Sequence, residues 1–332
     1  MVQTRITISP PHICVIIASH ISSAKRIQYL LDCLISIINQ ETTTAFSIFL
    51  SISFEQNELN HMFSTIILKN PKINTFSNLN YSILTHKTPQ MRHIQNACSL
   101  ISAKKLQSPW VMFCDDDDTY VPTRIDKFAK KIQQCLNESP QTPENFAGVY
   151  ESTFGKTHHE HRHEYWCYCI KYSILHTFLS LIDPYPEIID HKCCDIVFAD
   201  YLRRIKSNMF SLIEETMYNY RRENNDDSIT GTIVGQQKTA VWRASPPPID
   251  GTTAIIDYIL KWNEYLYENI DIYIHDTYLK TVVGIDIDRI LASEFRQDYA
   301  LIDYIDQGHV DKIREYHTRI RTICLKIYET PF

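Results

Sequence analysis

Four consecutive aspartates, Asp115 to Asp118, follow directly on five apolar residues, Trp110-Val111-Met112-Phe113-Cys114. The apolar run has the length and composition of a fully buried strand. A buried strand delivers whatever follows it to a fixed place, so the fold must accommodate four carboxylates at one strand end. Carboxylates within a few ångströms repel and raise one another's pKa, and a divalent cation is the common remedy. Hard oxygen ligands suit Mg2+, Mn2+ or Ca2+. A calcium loop of the EF-hand kind would need a glycine and a later glutamate at set positions, and Thr119, Tyr120 and Val121 stand there instead. The other alternative, a solvated acidic helix start favoured by the helix dipole, has no need of a buried strand in front of it.

Around this run, short apolar stretches alternate with helical periodicity. Strands are predicted at 13–19 (ICVIIAS), 45–54, 80–86 and 110–114, and helices at 24–40, over ELNHMFSTIILKN, at 90–106 and at 122–136. Such alternation implies a largely parallel sheet covered by helices, whose ligands bind outside the carboxyl ends of the strands. A further strand is predicted at 146–152, then strand and helix over 165–182, a helix over 190–205 and a strand in 208–222. The segment ASPPPIDGT (244–252) is the expected hinge. It divides an N-terminal α/β domain, 1–243, from a mostly helical C-terminal extension, 250–332.

Glycine is scarce, seven in 332 residues, against a usual share of roughly 7%. Residues 1–147 contain none, and the seven present do not form a Walker loop or a dinucleotide-binding fingerprint. A phosphate group must therefore be gripped by other means. A net charge of −6 and a pI near 6.2 argue against a nucleic-acid or anionic-membrane partner. No stretch is long and apolar enough for a transmembrane segment, and the N-terminus lacks the apolar core of a signal peptide. Ten cysteines without a C-x-x-C read as free thiols, so the expected location is the cytoplasm. A composition rich in Ile, Asn and Tyr suits an AT-rich genome, and if that genome is viral the location is the host cytoplasm.

The segment WVMFCDDDDTYVPTRI resembles the metal-binding segment of family 2 glycosyltransferases of GT-A fold: an apolar strand, D-x-D-D, three residues and a proline. Asp115, Asp117, Asp118 and Pro122 match it position by position. ICVIIAS with its helix ending in Asn39-Gln40 is similar to that family's opening. Residues 91–115, with Arg92 and Asn96, resemble the helix before its metal motif. CCDIVFADYLRR is similar to the stretch carrying its catalytic carboxylate, with Asp195 at the aspartate position and Cys194 where glutamate is usual. YRRENNDDSIT resembles the Tyr-Arg…Ser segment that follows. The chain departs from the family at the second strand, where SISFEQ offers Ser53 and Glu55 in place of an aspartate, and after the first strand, where Ala18-Ser19 replaces Pro-Thr.

The resemblance, over residues 12–230, implies an α/β fold with a Rossmann-like mixed sheet flanked by helices. It implies a metal-dependent glycosyltransferase that moves a sugar from a nucleotide-diphosphate sugar to an acceptor hydroxyl, inverting by single displacement. Asp115 and Asp117 would hold Mn2+ or Mg2+. Ser19, Glu55, Arg92, Asp115 and Asp116 would contact the sugar nucleotide, a UDP-sugar being favoured. Asp195 would be the catalytic base. The acceptor would be a glycan, a protein or a small molecule, and the C-terminal helices are the expected site of homo-oligomer contact. The alternative is a catalytically silent nucleotide-sugar-fold module for binding or scaffolding, motivated by the missing second-strand aspartate and by Cys194. The HHEHRHE loop (His158, His159, His161 and His163 with Glu160 and Glu164) suggests zinc, but neighbouring loop histidines cannot all point inward.

Overall fold

The computed structural model of the chain describes residues 10–138, 145–153, 163–221, 252–294 and 306–329. The described residues belong to two compact units, 1–222 and 223–332. Of the expected hinge at 244–252, residues 244–251 lie outside the described residues.

In the first unit the predicted alternation is present. It runs β1 (Ile13–Ile21), α1 (Ala24–Ile38), β2 (Phe46–Phe54), α2 (Asn57–Met62), α3 (Pro71–Thr75), β3 (Leu79–Leu84), α4 (Gln90–Ala103) and β4 (Trp110–Asp115). There follow β5 (Thr119–Tyr120), α5 (Arg124–Glu138), β6 (Gly148–Glu151), β7 (Tyr168–Lys171), α6 (Tyr172–Ile182), α7 (Pro186–Ile189), α8 (Cys194–Arg204), β8 (Phe210–Ile213) and β9 (Tyr218–Asn219). The main sheet has seven strands in the order β3-β2-β1-β4-β7-β6-β8. The four strands from β3 to β4 are parallel, β7 is antiparallel to β4 and β6, and β8 is parallel to β6. This is the expected mixed α/β sheet flanked by helices.

The reasons lie in side-chain spacing. β1 and β4 sit inside the sheet with helices over them, so both are apolar on alternate and intervening positions alike. α1 buries Ile27, Leu30, Leu34 and Ile37 at three- and four-residue steps. The helix expected over ELNHMFSTIILKN is present as α2 and a π-helical continuation, Phe63–Ile67. After α2 the backbone widens to a π turn, Leu68 N–H to Phe63 C=O at 3.1 Å, with Phe63 packed between Phe54 and Tyr81. Pro71 then starts α3 under an Asn70 cap. Where β6 meets β7 the backbones come so close that a Cβ on Gly148 would stand 2.2 Å from the Cys169 carbonyl oxygen, and only glycine fits.

The described residues of the second unit form α9 (Thr252–Val282), α10 (Ile287–Glu294) and α11 (Gln307–Tyr328), the helical extension anticipated from its composition. Tyr278, Val282, Ile290, Leu291, Val310, Ile320 and Cys324 form its core. Gly284, at φ +91°, turns the chain out of α9. Among the described residues no helix is long and apolar enough to cross a membrane.

Candidate active site

β4 carries Asp115 to the carboxyl end of the sheet, in register with Ala18 of β1. The chain then reverses, Asp118 N–H bonding to the Asp115 carbonyl at 3.1 Å, so the four carboxylates share one tight turn. Asp116, Asp117 and Asp118 are buried, and Asp115 is half-buried. Each meets a different group. The Ser19 hydroxyl donates to Asp116 Oδ2 at 2.5 Å. Arg26, in the first turn of α1, spans Asp116 and Asp117, with Nη1 to Asp117 Oδ2 at 3.0 Å. Asp115 Oδ1 accepts from Gln90 Nε2 at 3.2 Å and from the Tyr165 hydroxyl. Asp118 Oδ1 accepts the Arg221 amide at 2.7 Å, while its Oδ2 is buried with no hydrogen-bond partner among the described residues.

Such crowding has an electrostatic signature. Burial, then the neighbouring Asp118 and Asp117 charges, lifts the Asp115 carboxyl well above the usual range. Burial pushes Asp116 up to about 6 against the pull of Arg26. Burial and Asp117 push Asp118 up to about 7. Two guanidinium groups are therefore too little counter-charge for this turn.

The second wall of the site is built from far along the chain. β9 pairs antiparallel with β5, Thr119 opposite Asn219 and Tyr120 opposite Tyr218. This brings the Tyr218 hydroxyl to the Asp115 amide at 2.9 Å. It also sets Arg221 over the turn, with Nε on the Asp117 carbonyl (2.9 Å), Nη2 on Asp32 (3.2 Å) and the guanidinium 4.2 Å from the centre of the Tyr29 ring. Behind the wall, Trp166 stacks on Tyr218 at 4.1 Å. Below the stack Arg124 is wholly buried, 4.1 Å from the Tyr120 ring centre and paired with Glu151 at 3.0 Å. Its Nη2 donates to the Trp166 carbonyl at 2.6 Å, and Glu151 Oε2 accepts the Met217 amide at 3.0 Å.

Asp195 lies in the first turn of α8 and is half-buried, and its charge acts on both Asp115 and Tyr165. The fold thus brings Asp115, Asp116, Asp117, Ser19 and Asp195 into one neighbourhood. Cys194 beside Asp195 is buried.

The other two expected contacts, Glu55 and Arg92, have partners of their own. Ser19 and His20 point to opposite faces of β1, and Glu55 is on the His20 side. There Glu55 accepts from His20 Nε2 at 2.8 Å and pairs with Lys87 at 3.5 Å. The chain of contacts continues from His20 Nδ1 to the Ser53 hydroxyl (2.9 Å) and on to His93, buried under α4 between Ser53 and Ser51. Arg92 is held at 2.8 Å by each of Asp183 and Asp190. Of the histidine loop, His158, His159 and His161 lie outside the described residues. His163 is buried against the Tyr150 and Tyr168 rings.

The side chains that meet the aspartate turn, Arg26, Arg221, Gln90, Tyr165 and Tyr218, are not among the site residues expected from the sequence. Arg26 carried one signal, its place at the start of the helix that leaves the first strand's carboxyl end. Arg221 carried another, in the Tyr-Arg-Arg of YRRENNDDSIT.

Among the described residues no three His, Cys, Asp or Glu side chains are arranged to hold a metal ion by themselves. Among solved structures the chain is similar to S. aureus TarS, at 10% identity and a TM-score of 0.40, over 96% of this chain and 55% of that one. It is similar also to S. aureus TarS 1-349, at 11% identity and a TM-score of 0.35, over 96% of this chain and 90% of that one. The chain spans about half the length of the first of these. No family model matches it, and no curated protein matches it.

Proposed function

We propose that the chain is a metal-dependent glycosyltransferase that takes a sugar from a nucleotide-diphosphate sugar. The observation that carries this reading is the turn of four aspartates at the carboxyl end of β4, short of counter-charge and with Asp195 electrostatically beside it. All its ligating atoms are hard oxygens, and a buried carboxylate oxygen of Asp118 has no hydrogen-bond partner among the described residues, so the chemistry suits Mn2+ or Mg2+. Asp115 and Asp117 would hold the ion. With no third convergent ligand among the described residues, the remaining coordination would come from water and the donor's diphosphate, the usual habit of these ions. When bound, the metal supplies Lewis-acid stabilisation of the leaving diphosphate.

The chain's own residues do the rest. Tyr165, Gln90 and the Tyr218 hydroxyl fix Asp115 and its amide, so the turn is positioned before substrate arrives. Asp195 takes the proton of the acceptor hydroxyl. The acceptor oxygen forms the new bond to the anomeric carbon from the opposite face. The bond from that carbon to the phosphate oxygen breaks, its electron pair leaving with the nucleoside diphosphate, and the configuration inverts.

Cys194 favours the second reading, a silent binding module, because a buried thiol stands at the position beside Asp195 and offers no second carboxylate. One experiment separates the two. Nucleotide sugars are screened with Mn2+ by thermal shift, and product is followed for the chain and for Asp117→Ala and Asp195→Asn. A transferase shows donor-specific stabilisation and turnover lost in both variants. Stabilisation without turnover identifies the module, and no shift with any donor overturns both.

A further inference from the structure

We propose that Arg26 is a resident counter-cation of the aspartate turn, which leaves the carboxylates for the donor's diphosphate when a divalent metal is loaded. The inference rests on the transferase reading above and assigns this arginine a part in donor binding.

Three observations carry it. First, Arg26 sits just past the carboxyl end of β1, the edge at which ligands of such sheets bind, and its guanidinium spans Asp116 and Asp117. A fork that bridges two carboxylates and a divalent cation that needs one of them compete for the same oxygens. Second, the other arginines nearby are committed. Arg221 is held through its amide, its Nε and its Nη2 and lies on Tyr29, and Arg92 is clamped by two aspartates. The side-chain hydrogen bonds of Arg26 go to the two exchangeable carboxylates. Third, Asp116 keeps the Ser19 hydroxyl at 2.5 Å, so it retains a hydrogen-bond partner when the guanidinium departs.

Once released, the guanidinium remains beside the metal, where the diphosphate must lie. Its planar fork fits phosphate oxygens as well as it fits carboxylates. One residue thus offsets part of the charge of the empty turn and then recruits the substrate. The glycine-free first 147 residues sharpen the need, since no backbone cradle of the Walker type is available there for the phosphates.

The test uses two probes independent of turnover and of the nucleotide base: MnCl2 alone, followed by the spin-resonance signal of free Mn2+, and inorganic pyrophosphate at saturating Mn2+, followed by calorimetry. Arg26→Gln is expected to bind Mn2+ more tightly than the parent chain and to bind pyrophosphate about tenfold more weakly. Arg26→Lys keeps the charge but loses the fork, and should move both affinities the same way by less. Far-ultraviolet dichroism checks that each variant is folded, and Arg26→Lys decides the matter if Arg26→Gln is not. Unchanged or weaker Mn2+ binding in a folded variant overturns the role of Arg26 while leaving the transferase reading intact. Failure of the parent chain to bind Mn2+ at millimolar concentration overturns the metal-dependent reading, and the inference with it.

Discussion

Arg124 and Glu151 face each other at 3.0 Å with neither side chain exposed to solvent. Between them they hold the Trp166 carbonyl and the Met217 amide, so the pair ties β6 to the two segments that carry Tyr165 and Tyr218. Removing one partner of a buried pair strands the other charge. Glu151→Gln is expected to lower unfolding free energy by about 3 kcal/mol or more, read from urea midpoints. Replacing both residues, Arg124→Met with Glu151→Leu, should cost less than Glu151→Gln alone. A double variant weaker than the single one would contradict this account.

Asp118 predicts an unusual gain from losing a charge. Its folded pKa, about 7, lies above the ordinary carboxylate value. The group therefore favours the folded state at low pH, and that contribution is lost as pH rises through about 7. In metal-free buffer Asp118→Asn should raise the thermal midpoint at pH 8 and leave it nearly unchanged at pH 4. Equal shifts at both pH values would show that the charge is not the cause.

His93 works in the opposite direction. Burial, then the His20 charge, lowers its pKa to about 4. Protonation favours the unfolded chain, so stability falls as pH drops from the ordinary value near 6.5 toward 4, by about 3 kcal/mol in all. His93→Gln should be less stable at pH 7, having lost contacts to Ser51 and Ser53, yet lose less between pH 7 and pH 4.5 than the parent chain. Urea titrations at the two pH values measure both quantities.

The carboxylates of the site should separate kinetically. With Asp195 as the base, Asp195→Asn is expected to lower kcat by about 10^2–10^4 while donor binding stays within a factor of a few. Asp117→Ala should instead lose Mn2+ and donor binding together. Equal losses of donor affinity in both variants would remove Asp195 from the role of base.

Much of the sheet was legible because period and length suffice for it. ICVIIAS and WVMFC could only be buried strands, and the steps of Ile27, Leu30, Leu34 and Ile37 could only be a helix face. The aspartate turn followed from its place after WVMFC. The cations that answer it did not, for two reasons. Arg26 in the first turn of an amphipathic helix reads like any solvated arginine until the turn at 115–118 is placed beside it. Arg221 reaches the site through the pairing of β5 with β9, which no local pattern announces. Arg92 was drawn to Asp183 and Asp190 by a contact equally remote in sequence. His163 shows the reverse: its neighbours in HHEHRHE suggested zinc, and the aromatic faces of Tyr150 and Tyr168 bury it.

The pairing of β5 with β9 has a consequence for the order in which the site comes into being. Asp115 and Tyr218, like Asp118 and Arg221, are 103 residues apart, and Tyr165 follows Asp115 by 50. Chains are made from the N-terminus, and their early parts begin to fold as they emerge. A nascent chain that has just released β4 contains Arg26 and all four aspartates. The residues of its second wall have not yet been made. The aspartate turn is therefore among the last parts of this unit to be completed, and a fragment that stops short of residue 218 would present it half built.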